Sequence, residues 1–373
     1  MKTANATYSH VVLVSRRLPE QRRTHDCSAR EAVAAQIAQF LECDFAGEFD
    51  PARHYSGALY FVPDVALLAD DAHALGIRSN ADLFGGVVPY PFVATKAITH
   101  GLVNSEARGP PGWSSTFCES VRDEVVAGFT AFALPDALIA VQRILESGSA
   151  RIKHVAGIGG SDQTSVRDSA EAREALLAIG EEEIAQYGVV VEQNLSEPIT
   201  YSIGRIMLGS LSISYFGTQR TTQNRLGEEV YGGSDLSVVR GGFAELGTSE
   251  MPQAARAAFV HALSYDAAVE RAFPQFFASR RNYDVICGRD EQGVERSGVL
   301  EQSWRFGGAS AAEVAALLAL KTDATLQRIR ASTYEVHADV VPPRGATVHF
   351  RGIDEHVGAI TKYTMVESDG RRT

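Results

Sequence analysis

The stretch RIKHVAGIGGSDQ, residues 151–163, decides the fold expected for this chain. Its first five residues predict a strand that runs directly into a glycine-rich turn, and the Ala-, Glu- and Leu-rich residues 169–182 predict a helix after it. Glycine lets backbone N–H groups approach phosphate oxygens closely, and Arg151 and Lys153 share one face of the strand. The stretch therefore indicates a phosphate site. A solvated lysine beside a surface turn is the alternative, because the sequence is not a Walker A motif.

Upstream of this stretch, short apolar runs alternate with helix-like segments. Strands are predicted at residues 10–14, 59–62 and 85–88, and helices at 29–40 and 64–75. This βαβαβ order predicts a small parallel sheet with helices on its faces. The turn after the first strand, SRRLPEQRRTHD, lacks the GxGxxG fingerprint, which argues against a classical dinucleotide site.

Downstream, residues 188–242 are strand-like with short connections, which favours antiparallel pairing. A helix is predicted at 252–273, strands at 283–287 and 297–301, and a helix at 309–320. Three further strands are predicted at 335–340, 346–350 and 359–366, and the pattern assigns them no role.

Two acidic residues lie within or at the end of apolar strands of this region. Asp284 is inside NYDVIC, residues 282–287, and Glu301 follows GVL in GVLEQSWRFGG, residues 298–308. A buried carboxylate needs a counter-charge, a metal ion or hydrogen-bond donors. Two carboxylates on neighbouring strands predict a Mg²⁺ site completed by phosphate oxygens. Ion pairs with Arg281 or Arg305 are the alternative.

Other polar residues follow apolar strands. Glu192 directly follows the apolar run 189–191, which predicts a buried strand, and the end of such a strand can bind the edge of an adenine ring. A role in a turn or as an N-cap is the alternative. Arg220 and Arg240 lie in a loop-rich antiparallel region, where arginine binds carboxylates and phosphates or is simply exposed.

Composition narrows the class of protein. The 373 residues carry 35 basic and 46 acidic side chains, a net charge of −11, which argues against a nucleic-acid partner. The four cysteines are far apart without a CxxC pair, and no long apolar segment or signal-like start occurs, so we expect a cytoplasmic protein without a membrane partner. GxSxG and HExxH motifs do not occur in the sequence, which makes a hydrolase triad a weak alternative.

Taken in order, these motifs resemble those of the ATP-grasp superfamily over residues 88–320. Glu301-Gln-Ser-Trp-Arg305 is similar to the Glu-x-Asn-x-Arg signature of that superfamily. Residues 188–195, 215–220 and 231–240 also resemble a bacterial family of unknown function related to ATP-grasp proteins.

The resemblance implies an α/β fold of ATP-grasp type, in which two α+β lobes enclose a nucleotide cleft. It implies a small parallel α/β domain (1–95), a small lobe with a glycine-rich lid (96–190), a large lobe with the magnesium site (191–330) and a β-rich tail (331–373). It also implies the functional residues: Lys96, Arg151, Lys153, Gly157, Gly159, Gly160, Glu192, Asn194 and Leu195 for ATP; Asp284, Glu301 and Ser303 for Mg²⁺; Arg305, Arg240 and Lys153 for catalysis; and Arg220, Tyr231, Ser234, Arg240 and Arg281 for the substrate.

The activity implied is that of an ADP-forming ligase, which activates a carboxylate as an acyl phosphate for attack by an amine or thiol. The substrate would be a small molecule or peptide, and the chain could form a homodimer. Two departures leave room for other functions. Ser303 replaces an asparagine ligand, and Asn282 stands where amino-acid ligases often have an arginine, with Arg281 one residue away. A non-catalytic ATP-binding protein and a small-molecule phosphotransferase are therefore the alternatives.

Overall fold

The computed structural model describes residues 8–16, 24–155, 163–368 and 371–372, which form a mixed α/β structure with four sheets, in agreement with the α/β class expected. The strands are β1 (Tyr8–Val14), β2 (Asp44–Glu48), β3 (Ala58–Pro63), β4 (Leu67–Leu68), β5 (Gly86–Val88), β6 (Gly128–Ala131), β7 (Ala150–His154), β8 (Gln163–Val166), β9 (Val189–Gln193), β10 (Ser196–Leu208), β11 (Leu211–Gln223), β12 (Glu229–Arg240), β13 (Phe277–Ala278), β14 (Arg280–Arg289), β15 (Glu295–Ser303), β16 (Arg328–Val336), β17 (Thr347–Asp354), β18 (Gly358–Ser368) and β19 (Arg371–Arg372).

The α-helices are α1 (His25–Leu41), α2 (Ala69–Ala74), α3 (Ser115–Ser120), α4 (Leu134–Leu145), α5 (Ser169–Ile179), α6 (Glu181–Tyr187), α7 (Phe243–Thr248), α8 (Gln253–Ala272) and α9 (Ser310–Thr322). Short 3-10 helices occupy Pro91–Ala94, Lys96–Ile98 and Arg122–Glu124. Of the helices in the described ranges, none has the length and apolar character needed to span a membrane.

The first sheet is parallel, as the alternation of strands and helices predicts. Its order is β2-β1-β3, and helix α1 packs against it through an apolar cluster that includes Val33 and Ile37. Strand β2 was not predicted. The predicted third strand at 85–88 is present but lies elsewhere: β5 pairs with β4 and β13 in a separate sheet.

A four-stranded sheet, in the order β6-β9-β7-β8, carries Arg151 and Lys153 on β7. Val189, Val190 and Val191 are fully buried in β9, as the apolar run predicts. The single helix predicted at 169–182 is two helices, because Gly180 adopts a φ of 96° that a continuing helix does not allow.

The largest sheet has nine strands in the order β15-β14-β10-β11-β12-β16-β18-β17, with β19 paired to β18. Helix α8 packs on β14 and β15, whereas α9 packs on β16 and β18. Strands β16 to β18, whose sequence signals gave no role, thus extend this sheet. The domain boundaries predicted at residues 95, 190 and 330 stay predictions.

One bulge in this sheet shapes the region of the acidic pair. The register between β14 and β15 shifts after Asp284, where Asp284 lies opposite Glu301 and Val285 lies opposite Val299. Close by, β15 passes directly over residues 125–126, and a Cβ at Gly298 would lie 2.5 Å from the backbone nitrogen of Val126. Glycine is therefore required for this contact between strand and loop.

Candidate functional site

A cavity of about 1160 Å³ lies between the nine-stranded sheet, helix α1 and the loop that holds Lys96. Its wall brings together many of the predicted site residues, although they are far apart in sequence. The predicted residues that line it are Lys96, Tyr231, Ser234, Asp284, Glu301, Ser303 and Arg305.

The two predicted acidic ligands are neighbours at the wall of this cavity. Asp284 on β14 and Glu301 on β15 are direct cross-strand partners, so their side chains project to the same face. Asp284 Oδ1 accepts a hydrogen bond from Ser202 Oγ at 2.8 Å and lies 3.0 Å from the side-chain amide of Asn282. Burial, and then the charge of Glu301, raise the pKa of Asp284. Negative charge is therefore concentrated at one point of the cavity.

Lys96 lies beside this pair, with Nζ 3.2 Å from Glu301 Oε2. The side chain is almost fully buried, and Thr95 caps the short helix Lys96–Ile98 by accepting from Ala97 N. A buried ammonium next to a pair of carboxylates suits the binding of a phosphate anion together with a cation.

The donor set fits Mg²⁺. Asp284 and Glu301 offer the hard carboxylate oxygens that this ion prefers, and Ser303 lines the same wall two residues after Glu301. Among the residues that the structure describes, no group of three or more His, Cys, Asp or Glu side chains could enclose a metal ion. A site with two carboxylates suits Mg²⁺, which keeps several waters and binds substrate phosphates.

Behind Ser303 lies a buried ion pair that sequence reasoning missed. Arg280 donates to both carboxylate oxygens of Glu313, at 2.7 and 2.8 Å, and its Nη1 contacts Ser303 Oγ at 3.3 Å. The same nitrogen donates to the carbonyl oxygen of Arg305 at 2.6 Å. Arg280 therefore holds the end of β15 and the turn after it. The sequence did contain a signal for this position. Arg280, Asn282 and Asp284 are each two residues apart, and alternate residues of a strand lie on the same face.

Arg305 lines the cavity at the start of this turn. Its Nη1 donates to the carbonyl oxygen of Phe306 at 2.8 Å, and the side chain is partly exposed. The guanidinium thus lies on the same wall as the acidic pair.

Tyr231 and Ser234, two predicted substrate residues, contact each other at this wall. Tyr231 Oη is 2.6 Å from Ser234 Oγ and 3.2 Å from Thr333 Oγ1. Burial raises the pKa of Tyr231 to about 12, so the phenol is neutral at pH 7. The third, Arg220, donates to Asp235 Oδ2 at 2.6 Å and stacks on Tyr334, which itself lines the cavity.

The structure places neither Arg240 nor Arg281 at the cavity wall. Arg240 donates to the carbonyl oxygens of Leu320 at 2.6 Å and Leu326 at 3.1 Å, and so binds the backbone at the C-terminal end of α9. Arg281 projects to the opposite face of β14 from Asp284 and pairs with Asp266 of α8 at 2.8 Å. Both guanidinium groups thus bind other parts of the protein, and their predicted substrate and catalytic roles stay predictions.

The predicted nucleotide residues of the four-stranded sheet form a second, buried group. Lys153 forms a close ion pair with Glu192, and His100 Nε2 lies 3.2 Å from the other oxygen of that carboxylate. Burial alone would raise the pKa of Glu192, but Lys153 and His100 outweigh burial and lower it to about 2. His100 comes from a distant loop and had no sequence signal. These side chains are not among the cavity-lining residues.

The other predicted nucleotide contacts surround this group. Arg151 Nη2 donates to Asn194 Oδ1 at 2.7 Å, and Leu195 is buried. Val155 and Gln163, next to β7 and at the start of β8, line the cavity. Gly157, Gly159 and Gly160 lie outside the residues that the structure describes.

Comparison with known proteins gives a family and several similar structures. Residues 12–364 match the family described as "protein of unknown function (DUF3182)". No curated protein matches the sequence at a significant level.

The structure is similar to D-alanyl-alanine synthetase A from Vibrio cholerae, at 12% identity over 81% of this chain and 90% of that chain, with a TM-score of 0.45. It is similar to phosphoribosylamine–glycine ligase from Thermotoga maritima, at 13% identity over 97% and 90% of the two chains, with a TM-score of 0.48. It is also similar to the biotin carboxylase domain of a Hydrogenobacter thermophilus 2-oxoglutarate carboxylase, solved with MgADP and bicarbonate, at 13% identity over 96% and 86% of the chains, with a TM-score of 0.46.

Proposed function

We propose that this chain, which belongs to the DUF3182 family of proteins of unknown function, is an ATP- and Mg²⁺-dependent ligase. In the proposed reaction a substrate carboxylate takes the γ-phosphoryl group and ADP leaves. An amine or thiol then attacks the acyl carbon and phosphate leaves. The observation that carries this proposal is the cross-strand pair of Asp284 and Glu301, with Lys96 beside it, at the wall of a large cavity.

Asp284 and Glu301 would hold Mg²⁺, which when bound neutralises charge on phosphate oxygens. The residues of the chain do the remaining work by position and charge, as phosphoryl transfer requires. Lys96 places a buried positive charge 3.2 Å from Glu301 Oε2, next to where phosphate oxygens would approach the acidic pair. Arg305, on the same wall, would stabilise charge on the transferred group.

The cavity is large enough for a nucleotide and a second substrate together, since sites for drug-sized ligands occupy about 300–1000 Å³. Tyr231 and Ser234 offer neutral hydroxyl groups beyond the acidic pair and suit a polar substrate group. We assign Arg151, Lys153, Glu192, Asn194 and Leu195 to the nucleotide, because the strand that carries Lys153 leads to the cavity wall at Val155.

The test is ADP formation with mixtures of carboxylic acids and amines or thiols, in wild type and in Glu301→Gln. The variant removes one charge of the acidic pair with little change in shape, so we expect ADP formation to be lost while the circular dichroism spectrum stays the same. Glu295→Gln is the matched control, because Glu295 is on the same strand but is exposed and pairs only with Arg289 among the ion pairs found. Wild-type turnover by Glu301→Gln would contradict the assignment.

Two outcomes would favour the alternatives. Thermal stabilisation of the wild type by MgATP, with no ADP formed from any mixture, would indicate a non-catalytic nucleotide-binding protein. A product whose mass retains the phosphate would indicate a phosphotransferase. The replacement of an asparagine ligand by Ser303 is the observation that makes the first alternative worth testing.

A further inference from the structure

A buried tyrosine behind the acidic pair contacts two hydrogen-bond acceptors but has one proton to donate. Tyr215 Oη lies 2.6 Å from Glu313 Oε1 and 2.8 Å from the atom placed as Asn282 Oδ1. The ring is fully buried, and a hydroxyl group has a single hydrogen to donate. The two contacts cannot both be full hydrogen bonds donated by Tyr215.

Glu313 is the acceptor that takes this proton. Both of its carboxylate oxygens accept from Arg280, at 2.7 and 2.8 Å, so Glu313 is ionised and has no proton to give. A separation of 2.6 Å is typical of an O–H···O⁻ hydrogen bond, which is about twice as strong as a neutral one. If Tyr215 turned its proton to Asn282 instead, a carboxylate oxygen would face a bare hydroxyl oxygen at that distance.

It follows that Asn282 donates to Tyr215. Once the hydroxyl proton is used on Glu313, Tyr215 Oη can only accept, and the side-chain nitrogen of Asn282 is the donor within reach. The oxygen and nitrogen of an amide are assigned from such networks, because their shapes are nearly the same. With the amide turned to satisfy Tyr215, its carbonyl oxygen takes the position 3.0 Å from Asp284 Oδ1.

This places a nearly fully buried carbonyl oxygen against a carboxylate oxygen at the cavity wall. Asn282 is 5% exposed, lines the cavity and precedes Asp284 by two residues, so both side chains share one face of β14. Two oxygen acceptors 3.0 Å apart repel each other unless a cation or a proton lies between them. Adjacent oxygens around octahedral Mg²⁺, each about 2.0–2.1 Å from the ion, are about 2.9 Å apart.

We propose that Asn282 supplies the third protein oxygen of the magnesium site, beside Asp284 and Glu301. Asn282 lies directly opposite Ser303 across the two strands, so the amide oxygen comes from β14 instead of β15. The Ser303 hydroxyl, whose Oγ is 3.3 Å from Arg280 Nη1, then helps to hold that arginine. This inference rests on the proposed function, because it assumes that the acidic pair binds a cation.

The position of Tyr215 is itself built into the sheet. Gly204 lies opposite Tyr215 on β10, and a Cβ there would fall 2.2 Å from Tyr215 Cζ. A side chain at residue 204 would therefore displace the ring whose hydroxyl reaches Glu313 and Asn282.

The test measures the Kd for Mn²⁺, used as a spectroscopic substitute for Mg²⁺, by electron paramagnetic resonance with and without ADP. Asn282→Leu keeps the size of the side chain but removes its oxygen, and we expect the Kd to rise at least about tenfold, since loss of a partner that only orients a ligand costs about 10–100-fold. Tyr215→Phe frees the amide to turn and should raise the Kd by a smaller factor. Ser303→Ala should raise it by a smaller factor than Asn282→Leu does. Asn104→Leu is the matched control, because Asn104 is exposed and outside the cavity wall.

The variants separate the possible failures. If Asn282→Leu does not fold by circular dichroism, Tyr215→Phe carries the test, and a Kd equal to that of the wild type overturns the inference. A large loss in Ser303→Ala, with Asn282→Leu unchanged, also overturns it and restores the serine as ligand. No Mn²⁺ binding by the folded wild type, with or without ADP, would overturn the proposed function and the inference together.

Discussion

Replacing Lys153 by methionine tests the buried charge group of Lys153, Glu192 and His100. Methionine keeps the length of the side chain but removes its charge, which leaves the Glu192 carboxylate, 2% exposed, with His100 as its remaining contact. We expect the variant to lose about 3–5 kcal/mol of its free energy of unfolding at pH 7, the usual cost of removing one partner of a buried ion pair.

The lowered pKa of Glu192 gives a magnitude that agrees. Its change from 4.5 to about 2 corresponds to about 3 kcal/mol, at about 1.4 kcal/mol for each factor of ten. Because the pKa is lower in the folded state, this stabilisation is present above pH 4.5 and is lost as the pH falls from 4.5 towards 2. In the wild type it is therefore constant between pH 5 and pH 8.

The variant should behave differently over the same pH range. Without Lys153, burial dominates and the folded state favours uptake of a proton by Glu192. The deficit of the variant should therefore shrink as the pH falls from 8 to 5, by up to about 1.4 kcal/mol per pH unit for one proton. The double variant Lys153→Met/Glu192→Gln removes both charges and should recover most of the loss.

The assay is urea unfolding followed by circular dichroism at several pH values, for the wild type, both single variants and the double variant. A loss below about 1 kcal/mol at pH 7, or a loss that does not depend on pH, would refute the reasoning. Additive effects in the double variant would refute it as well. This stability measurement must come before any nucleotide-binding experiment on a Lys153 variant. Otherwise, a lack of stabilisation by MgATP could reflect either a lost nucleotide contact or a destabilised protein.

Three further substitutions test contacts outside the cavity. Arg240→Leu removes the donor to the end of α9 and should cost about 1–3 kcal/mol in urea unfolding, while the thermal shift with MgADP stays as in the wild type; a lost shift would return Arg240 to the site. Arg281→Leu leaves Asp266 buried without its cation and should cost about 3–5 kcal/mol, partly recovered by adding Asp266→Asn; a neutral single variant would contradict the pairing. Gly298→Ala forces a methyl group against the backbone of Val126 and should cost about 1–3 kcal/mol in the same assay, whereas an unchanged midpoint would show that the loop yields.

Much of the fold follows from local pattern in the sequence. The alternation of residues 10–62 predicts the parallel sheet, and the short connections after residue 188 predict the antiparallel one, because each reflects neighbouring segments of chain. The sequence pattern wrongly predicts that residues 85–88 join the parallel sheet of β1 and β3. Strand β5 instead pairs with β13, nearly two hundred residues later. Pairing over such a distance has no local signal.

The acidic pair could be predicted for a similar reason: a carboxylate in an apolar strand needs an explanation wherever it occurs. The roles of the arginine residues could not be predicted, because arginine residues in similar sequence contexts bind different partners in this structure. Arg281 pairs with Asp266 of α8 and Arg280 pairs with Glu313 of α9, and the two arginines lie on opposite faces of the strand. Counting alternation from Asp284 would have placed Arg280 on the cavity side.

The cavity wall joins early and late parts of the chain, and this has a consequence for synthesis. Lys362 on β18 donates to Asp26 on α1 at 2.6 Å, and Asp354 accepts from the backbone nitrogen of His25 at 2.8 Å. In each of these hydrogen bonds, the donor and acceptor residues are more than three hundred residues apart in the sequence. On a ribosome that adds about 5–20 residues per second, helix α1 therefore waits at least about 15 seconds for the strands that cover it. Throughout that time, the face of α1 that packs against β17 and β18 in the folded protein lacks these strands.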